Sequence, residues 1–237
     1  MKAMIFAAGL GTRFKPWTDH HPKALALVNG KSLLERNIRY LQSAGIKDVL
    51  VNVHHFSDQI RHAIIVQDGW GSNISISDET EEVLETGGGL KKAADFFDQG
   101  SFLLMNVDIL TDLDLSGMIS FHHEKKPLAT LAVTDRKSSR YFLFDEKSRL
   151  NGWKNTQTGE EKISFSCSPM FEKAFSGIHL VSPDIFSLMH RQGKFSIVDV
   201  YLDLAATHPI LGYDHSGSRL VDVGRIASLT LAETLFA

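Results

Sequence analysis

A single cysteine, Cys167, stands in a chain of 237 residues. No intrachain disulfide can form, so the hydrophobic core must hold the fold. A reduced, cytoplasmic setting is the natural one, with the lone thiol read as a small buried apolar residue. Surplus positive charge is missing too: the formal net charge is -3 at pH 7. With no dense Lys/Arg run either, the chain lacks the electrostatic footprint for long nucleic acid or a membrane surface, which leaves a small molecule as the expected partner. Long apolar runs are also absent. The N-terminal "MKAMIFAAGLGTR" opens like a leader, but Gly9, Gly11 and Arg13 interrupt it too early. No tandem repeat, low-complexity stretch or linker marks a boundary.

Several catalytic signatures fail on inspection. "NGKSLLE" carries Gly-Lys-Ser, but Leu25 stands where a phosphate-binding Walker loop needs its first glycine, so the segment reads as a turn followed by a helix cap. "GLGTRF" ends on Phe14 where a dinucleotide fingerprint needs glycine. Ser176 and Ser182 lack the G-x-S-x-G elbow of a hydrolase nucleophile. The pairs His20-His21, His54-His55 and His122-His123 have no cysteine beside them, and neighbours on a strand point to opposite faces, so they read as structural or surface histidines.

What is present is an alternation of apolar runs with amphipathic stretches, in a composition (43% hydrophobic, 22% charged) typical of a globular chain. "MKAMIFAA", "DVLVNVHH", "NISISDE" and "FLLMNVDIL" read as strands, the last one ending in an acid. "SLLERNIRYLQSAG", "SDQIRHAIIVQ" and "GGGLKKAADFFDQ" read as helices. Ser32 with Glu35 forms a capping-box pattern, and Gly45 suits the position past the helix end. The alternation implies βαβ units with a parallel sheet. Beyond about Pro127 the chain turns β-rich, through "PLATLAVT", "RYFLFDE", "RLNGW" and "FSGIHLV", before helices near "PDIFSLMHRQ" and "SIVDVYLDLAA". An α/β core with a small β-rich substrate subregion is expected. Val200 and Leu204 form a core stripe on the last of these helices, unless it is exposed at a dimer contact.

The stretch "AAGLGTRFKPWTDHHPKAL", Ala7 to Leu25, concentrates two glycines with Arg13 and Lys23 at the end of the first strand. Glycines let backbone N–H groups approach a ligand, and Arg and Lys supply cationic donors to phosphate oxygens. The loop reads as a polyphosphate cradle.

That stretch resembles the signature of sugar-1-phosphate nucleotidyltransferases, roughly A-A-G-x-G-[TS]-R-hydrophobic-x-P followed by P-K. Further matches run in the family's order: "LETGGGLKKA", "FLLMNVDIL", "FSGIHLVSP" and "LVDVGR", together spanning essentially the full length. The "ETGGG", "FSGI" and "VDVG" versions look most like the N-acetylmuramate-1-phosphate uridylyltransferases. Mannose- and heptose-1-phosphate guanylyltransferases and phosphocholine cytidylyltransferases are close. The resemblance implies a Rossmann-like mixed, mainly parallel sheet flanked by helices, in one domain over residues 1–237. Residues 1–126 would mainly bind nucleotide, and 127–237 mainly bind sugar and complete the metal site.

The implied reaction joins an NTP to a sugar-1-phosphate, releasing pyrophosphate. Ala8, Gly9, Gly11 and Thr12 would cradle the triphosphate, with Thr86 and Gly87 in the nucleotide site, though "ETGGG" also serves simply to start a helix. Arg13 would meet the leaving pyrophosphate and Lys23 the reacting phosphates. Asp108 and Asp222 would hold Mg²⁺, an ion that prefers oxygen ligands and phosphate-bridged sites. Read singly, each is a cap or turn residue. Asn106, Tyr141, Lys154, Ser176 and Gly177 are the sugar-side candidates; Tyr141 and Phe142 line a sugar pocket or pack the β-rich part, and Lys154 reads equally as an exposed hairpin lysine.

Departures from the pattern accompany these matches. Val107 precedes Asp108 where relatives have glycine, Thr80 holds the place of a base-reading glutamine, and the sugar-phosphate Glu-Lys-Pro is replaced by "GWKN". A catalytically weak nucleotide-sugar binding or regulatory protein is the alternative of another class. Retention of Arg13, Lys23, Asp108 and Asp222 argues against it. The chain's end soon after "VDVG" leads us to expect a free-standing enzyme, monomeric or homodimeric, without a hexapeptide-repeat domain.

Overall fold

The computed structural model describes residues 1–97 and 100–237. In chain order the first half contains β1 (Lys2–Phe6), the hairpin β2 (Leu27–Val28) and β3 (Lys31–Ser32), α1 (Leu33–Ser43), β4 (Asp48–Val53), α2 (Ser57–Val66), β5 (Asn73–Asp78), α3 (Glu85–Lys92), β6 (Phe102–Asn106) and β7 (Ile109–Thr111). The second contains α4 (Leu115–Lys125), β8 (Ala129–Thr134), β9 (Arg140–Phe144), β10 (Leu150–Asn155), β11 (Glu161–Ile163), β12 (Phe171–Val181), α5 (Ile185–Leu188), α6 (Ile197–Leu204), β13 (Ile210–Asp214), β14 (Leu220–Asp222) and α7 (Ser228–Leu235).

Ten of these strands form one mixed sheet with helices on both faces. Its centre is parallel, in the order β6-β1-β4-β5. Alternation along β1 explains why its run is almost wholly apolar: Ala3 and Ile5 pack with Leu34, Ile38 and Leu41 of α1 on one face, Met4 and Phe6 with Leu90 of α3 and Tyr201 of α6 on the other. β12 joins this centre to the β-rich part. It pairs antiparallel with β6, β8 and β9, and its register shifts between Phe175 and His179, where Gly177 adopts φ +72°.

The local signals act as read, with some differences. Asn29-Gly30, both at positive φ, turns the β2–β3 hairpin, and Ser32 Oγ accepts from the Glu35 N–H at 3.1 Å. The Glu35 carboxylate completes no reciprocal box; it accepts from Arg39 Nε at 2.8 Å. "FLLMNVDIL" is two strands, broken by a turn at Val107-Asp108, so Asp108 lies in the turn between them. "PDIFSLMHRQ" makes only one helical turn, because Met189 leaves helical geometry. In the helical reading through "GGGLKKAADFFDQ", Asp98 and Gln99 lie outside the described residues. Cys167 is not buried but half-exposed, in the polar Ser164–Pro169 stretch away from both core clusters. His122 and His179 are core residues: His122 bonds Thr130 and Ser101, and His179 bonds the Tyr201 hydroxyl at 2.7 Å. No described helix is long and apolar enough to cross a membrane.

Candidate active site

β1 ends in the glycine loop. Gly11 takes φ +62°, and a Cβ there would lie 2.9 Å from Thr18 Cγ2 and 3.4 Å from Lys23 Cβ. Both the backbone angle and the close approach exclude a side chain. Phe14, buried in the core, anchors the following turn, and Thr18 Oγ1 donates to Gly11 O at 3.0 Å. Ala8 is buried, whereas Gly9, Thr12 and Arg13 are exposed.

A buried polar chain supports this loop from behind. Asn52, within β4, accepts from the N–H groups of Ala7 (2.7 Å) and Ala8 (3.3 Å) and donates to Glu79 Oε1 at 2.8 Å. Glu79 in turn accepts from the Leu84 N–H at 3.1 Å, just before α3. Gly89 of α3 makes room for the pair, since a Cβ there would sit 2.6 Å from Glu79 Oε1. Neither Asn52 nor Glu79 was expected in the site, although a lone Asn inside "DVLVNV" is the signal that marks it.

The two aspartates arrive on different elements. β7 pairs antiparallel with β14, placing Asp222 opposite Ile109, and the Val223 N–H donates to Asp108 O at 2.8 Å. The Asp108 carboxylate forms an ion pair with Lys23. A Cβ on Gly224 would meet Asp222 Oδ1 at 2.8 Å and Arg13 Nη2 at 3.1 Å, so the Arg13 guanidinium lies beside this carboxylate. Asp222 keeps solvent access, yet surrounding protein strips enough water to push its carboxyl above the ordinary value, and the like charge of Asp108 adds to this. Lys23, Arg13 and Arg136 act in the opposite direction. The methyls of Val107 are taken up by the core on the α1 face, and its carbonyl accepts from Asn37 at 2.8 Å.

Two cavities meet here. The first, about 370 Å³, is bounded by Phe6 to Gly9, Gly11, Lys23, Asn52, Glu79, Val83, Glu85, Thr86, Asn106, Asp108 and Ser196. The second, about 780 Å³, is bounded by Arg13, Asp222 and Arg225 at one end, and by Arg136, Arg140, Tyr141, Phe142, Trp153, Lys162 and Phe175 of the β-rich part. Ser196 borders both. Each falls within the size range of small-molecule sites.

The cavities thus bring together Gly9, Gly11, Arg13, Lys23, Thr86, Asn106, Asp108, Tyr141 and Asp222, with Ala8 at the back of the first. Other candidates sit elsewhere. Gly87 packs under Phe195, its N–H donating to Phe195 O at 2.9 Å, and a Cβ there would lie 2.4 Å from that ring. Thr86 does border the first cavity, where its hydroxyl accepts from the Ile197 N–H at 3.0 Å. Ser176 is fully buried, held by His215 Nε2 at 2.8 Å, and Gly177 backs onto Asn106 Nδ2. Lys154 pairs with Glu172 and borders neither cavity. Thr80 is exposed. The arginines of the β-rich part were not anticipated, because a cavity arginine and a surface arginine look alike in sequence.

The sequence model of the family described as "Nucleotidyl transferase" matches residues 2–150. The chain belongs to that family. This nucleotidyltransferase is 41% identical to the N-acetylmuramate alpha-1-phosphate uridylyltransferase of Caulobacter vibrioides, over 91% of this chain and 88% of that protein. It is 27% identical to the enzyme of the same name from Neisseria meningitidis serogroup B, over 99% and 98% of the two chains. The crystal structure of HddC from Yersinia pseudotuberculosis complexed with GMP-PN superposes with a TM-score of 0.80 at 21% identity, covering 100% and 99%, and so has the same fold. The chain is an enzyme of the sugar-1-phosphate nucleotidyltransferase type.

Proposed function

We propose that this nucleotidyltransferase joins UTP to N-acetylmuramate-1-phosphate or a similar hexose-1-phosphate, releasing pyrophosphate, in a reduced intracellular setting. The carrying observation is the convergence of Asp108, Asp222, Lys23 and Arg13 where the two cavities meet. The uridylyl and N-acetylmuramate choices rest on the Caulobacter and Neisseria relatives. In this reading the smaller cavity takes the nucleotide and the larger one the sugar. Residues 1–126 then do most of the nucleotide binding and 127–237 most of the sugar binding, within one domain.

The donor set fits a divalent cation. The Asp108 carboxylate lies near enough to Asp222 to add to the cost of ionising it, and Mg²⁺ takes one or two carboxylates together with phosphate oxygens and water. Asp108 and Asp222 would hold it, and when bound it supplies charge neutralisation at the α-phosphate. Among the described residues no group of three or more acidic, His or Cys side chains converges, so the remaining ligands would come from phosphates and water.

This chain's own residues do the rest by position and charge. The loop N–H groups of Gly9 to Thr12 hold the triphosphate. A sugar-phosphate oxygen attacks the α-phosphorus in line with the departing pyrophosphate, whose oxygens Arg13 receives. Lys23, released from Asp108 as substrate enters, neutralises the reacting phosphates. Attack breaks the α–β phosphoanhydride and forms one new P–O bond.

The test is pyrophosphate release across UTP, GTP, CTP, ATP and dTTP, each against a panel of sugar-1-phosphates and phosphocholine. Release with UTP and N-acetylmuramate-1-phosphate is expected. Release with GTP and a mannose or heptose phosphate would replace the substrate choice, and binding without release throughout would favour a regulatory protein.

A further inference from the structure

The larger cavity holds more positive charge than a sugar-1-phosphate needs. Five cations, Arg13, Arg136, Arg140, Lys162 and Arg225, face only Asp199 and Asp222. Four of the five have work to do. Lys162 is paired with Asp199 at 3.0 Å. Arg13 lies beside Asp222, and Arg225 follows the same Gly224 that backs onto Arg13, so both belong to the reacting end. Arg136 donates to Phe175 O at 2.9 Å, and its charge is felt at Asp222, which suits it to the sugar's phosphate.

Arg140 is left over. It starts β9, is exposed, and its guanidinium makes no hydrogen bond, ion pair or ring contact among the described residues. Tyr141 and Phe142 follow it, and Trp153 lies opposite Phe142 on β10. All three bound the same cavity; Phe142 is buried behind it, while the half-buried Tyr141 and Trp153 keep ring surface for a pyranose. A hexose laid on them with its phosphate toward Arg136 and Asp222 would present a distal substituent to the cavity's outer end. A neutral substituent offers Arg140 only an uncharged acceptor, whereas a carboxylate matches both the charge and the planar fork of the guanidinium.

We propose that Arg140 is the specificity residue that selects a sugar-1-phosphate carrying a second, carboxylate anion. This rests on the larger cavity being the sugar site of the transferase. The experiment compares kcat/KM, from pyrophosphate release with UTP, for N-acetylmuramate-1-phosphate and for N-acetylglucosamine-1-phosphate, which lacks the carboxylate, in wild type, Arg140→Gln and Arg140→Lys. The ratio of the two values should fall about 10- to 100-fold in Arg140→Gln and less in Arg140→Lys. An unchanged ratio, or equal loss with both sugars, would overturn the assignment. If wild type releases no pyrophosphate with either sugar, the proposed choice of UTP and N-acetylmuramate-1-phosphate fails. Calorimetric binding of the same two sugars then decides about Arg140: selective weakening of the carboxylated one in Arg140→Gln supports it, and equal affinity overturns it.

Discussion

Replacing Asn52 with alanine should damage both stability and turnover, because one buried amide serves the strand, the glycine loop and α3 at once. The substitution removes the acceptor of both the Ala7 N–H (2.7 Å) and the Ala8 N–H (3.3 Å), and strips Glu79 Oε1 of a donor at 2.8 Å. Orphaning a buried polar group costs about 1–3 kcal/mol, more where it is charged. Asn52 borders the smaller cavity, so water can enter the vacated space and recover part of that loss. A net cost of about 2–4 kcal/mol follows, or a fall in Tm of roughly 5–15 °C for a chain of this size. The loop N–H groups lose their alignment, so kcat/KM should fall about 10- to 100-fold. Asn52→Asp keeps the shape but sets a carboxylate against Glu79. It should be worse than Asn52→Ala at neutral pH and recover relative to it on acidification, as one of the pair takes a proton. Urea titration and differential scanning calorimetry read stability, and pyrophosphate release reads turnover. A Tm shift within about 1 °C with turnover intact would show that Asn52 does not support the loop.

Further outcomes follow from the same geometry. Gly87→Ala should destabilise despite the helix-propensity gain of about 1 kcal/mol, because the new Cβ would stand 2.4 Å from the Phe195 ring; chemical denaturation checks the sign. Asp222 binds its proton more tightly in the folded chain than in the unfolded one, so its ionisation costs stability. That cost is absent below the ordinary carboxylate range near pH 4 and is fully present once pH has risen through the folded value. Asp222→Asn should therefore melt higher than wild type at pH 7, match it near pH 3.5, and turn over poorly. His179, lowered to about 3 by burial, refuses a proton that its unfolded counterpart accepts near pH 6.5, so it contributes stability at neutral pH that is lost as pH falls through that window. In His179→Gln, the slope of urea stability against pH between 6 and 4.5 should flatten by about 1.4 kcal/mol per pH unit. Asp108→Asn and Arg13→Ala should each depress turnover strongly with melting behaviour near wild type, and wild-type rates in either would remove the roles assigned to them.

Much of the fold was legible because strict local rules govern it. The buried parallel strands are short apolar runs, Ser32 caps α1, and Asn29-Gly30 turns a hairpin. Where a segment's fate depends on distant partners, the sequence is silent. β13 was not read as a strand, since "ILGYD" becomes one only by pairing parallel with β8, and α4 hides behind Gly117 and a stripe completed by buried His122. The site divides the same way. Gly11, Arg13 and Lys23 lie within one loop whose spacing can be read, whereas Asp108 and Asp222 meet only through the β7–β14 pairing. Ser176 and Lys154 had suitable chemistry, but His215 and Glu172 engage them away from the cavities. "ETGGG" pointed to Gly87 as a nucleotide contact; in the fold, Phe195, Gly193 and Glu79 stand against its three glycines.

In the proposed reaction Asp108 and Asp222 frame the α-phosphorus of a nucleotide attacked by a sugar phosphate. The most direct measurement follows the label from [α-³²P]UTP incubated with N-acetylmuramate-1-phosphate and Mg²⁺, in wild type and Asp108→Asn. Label is expected in a sugar nucleotide, matched one-for-one by unlabelled pyrophosphate, with near silence in the variant. Label recovered in UMP or UDP, or equal transfer by the variant, would contradict it.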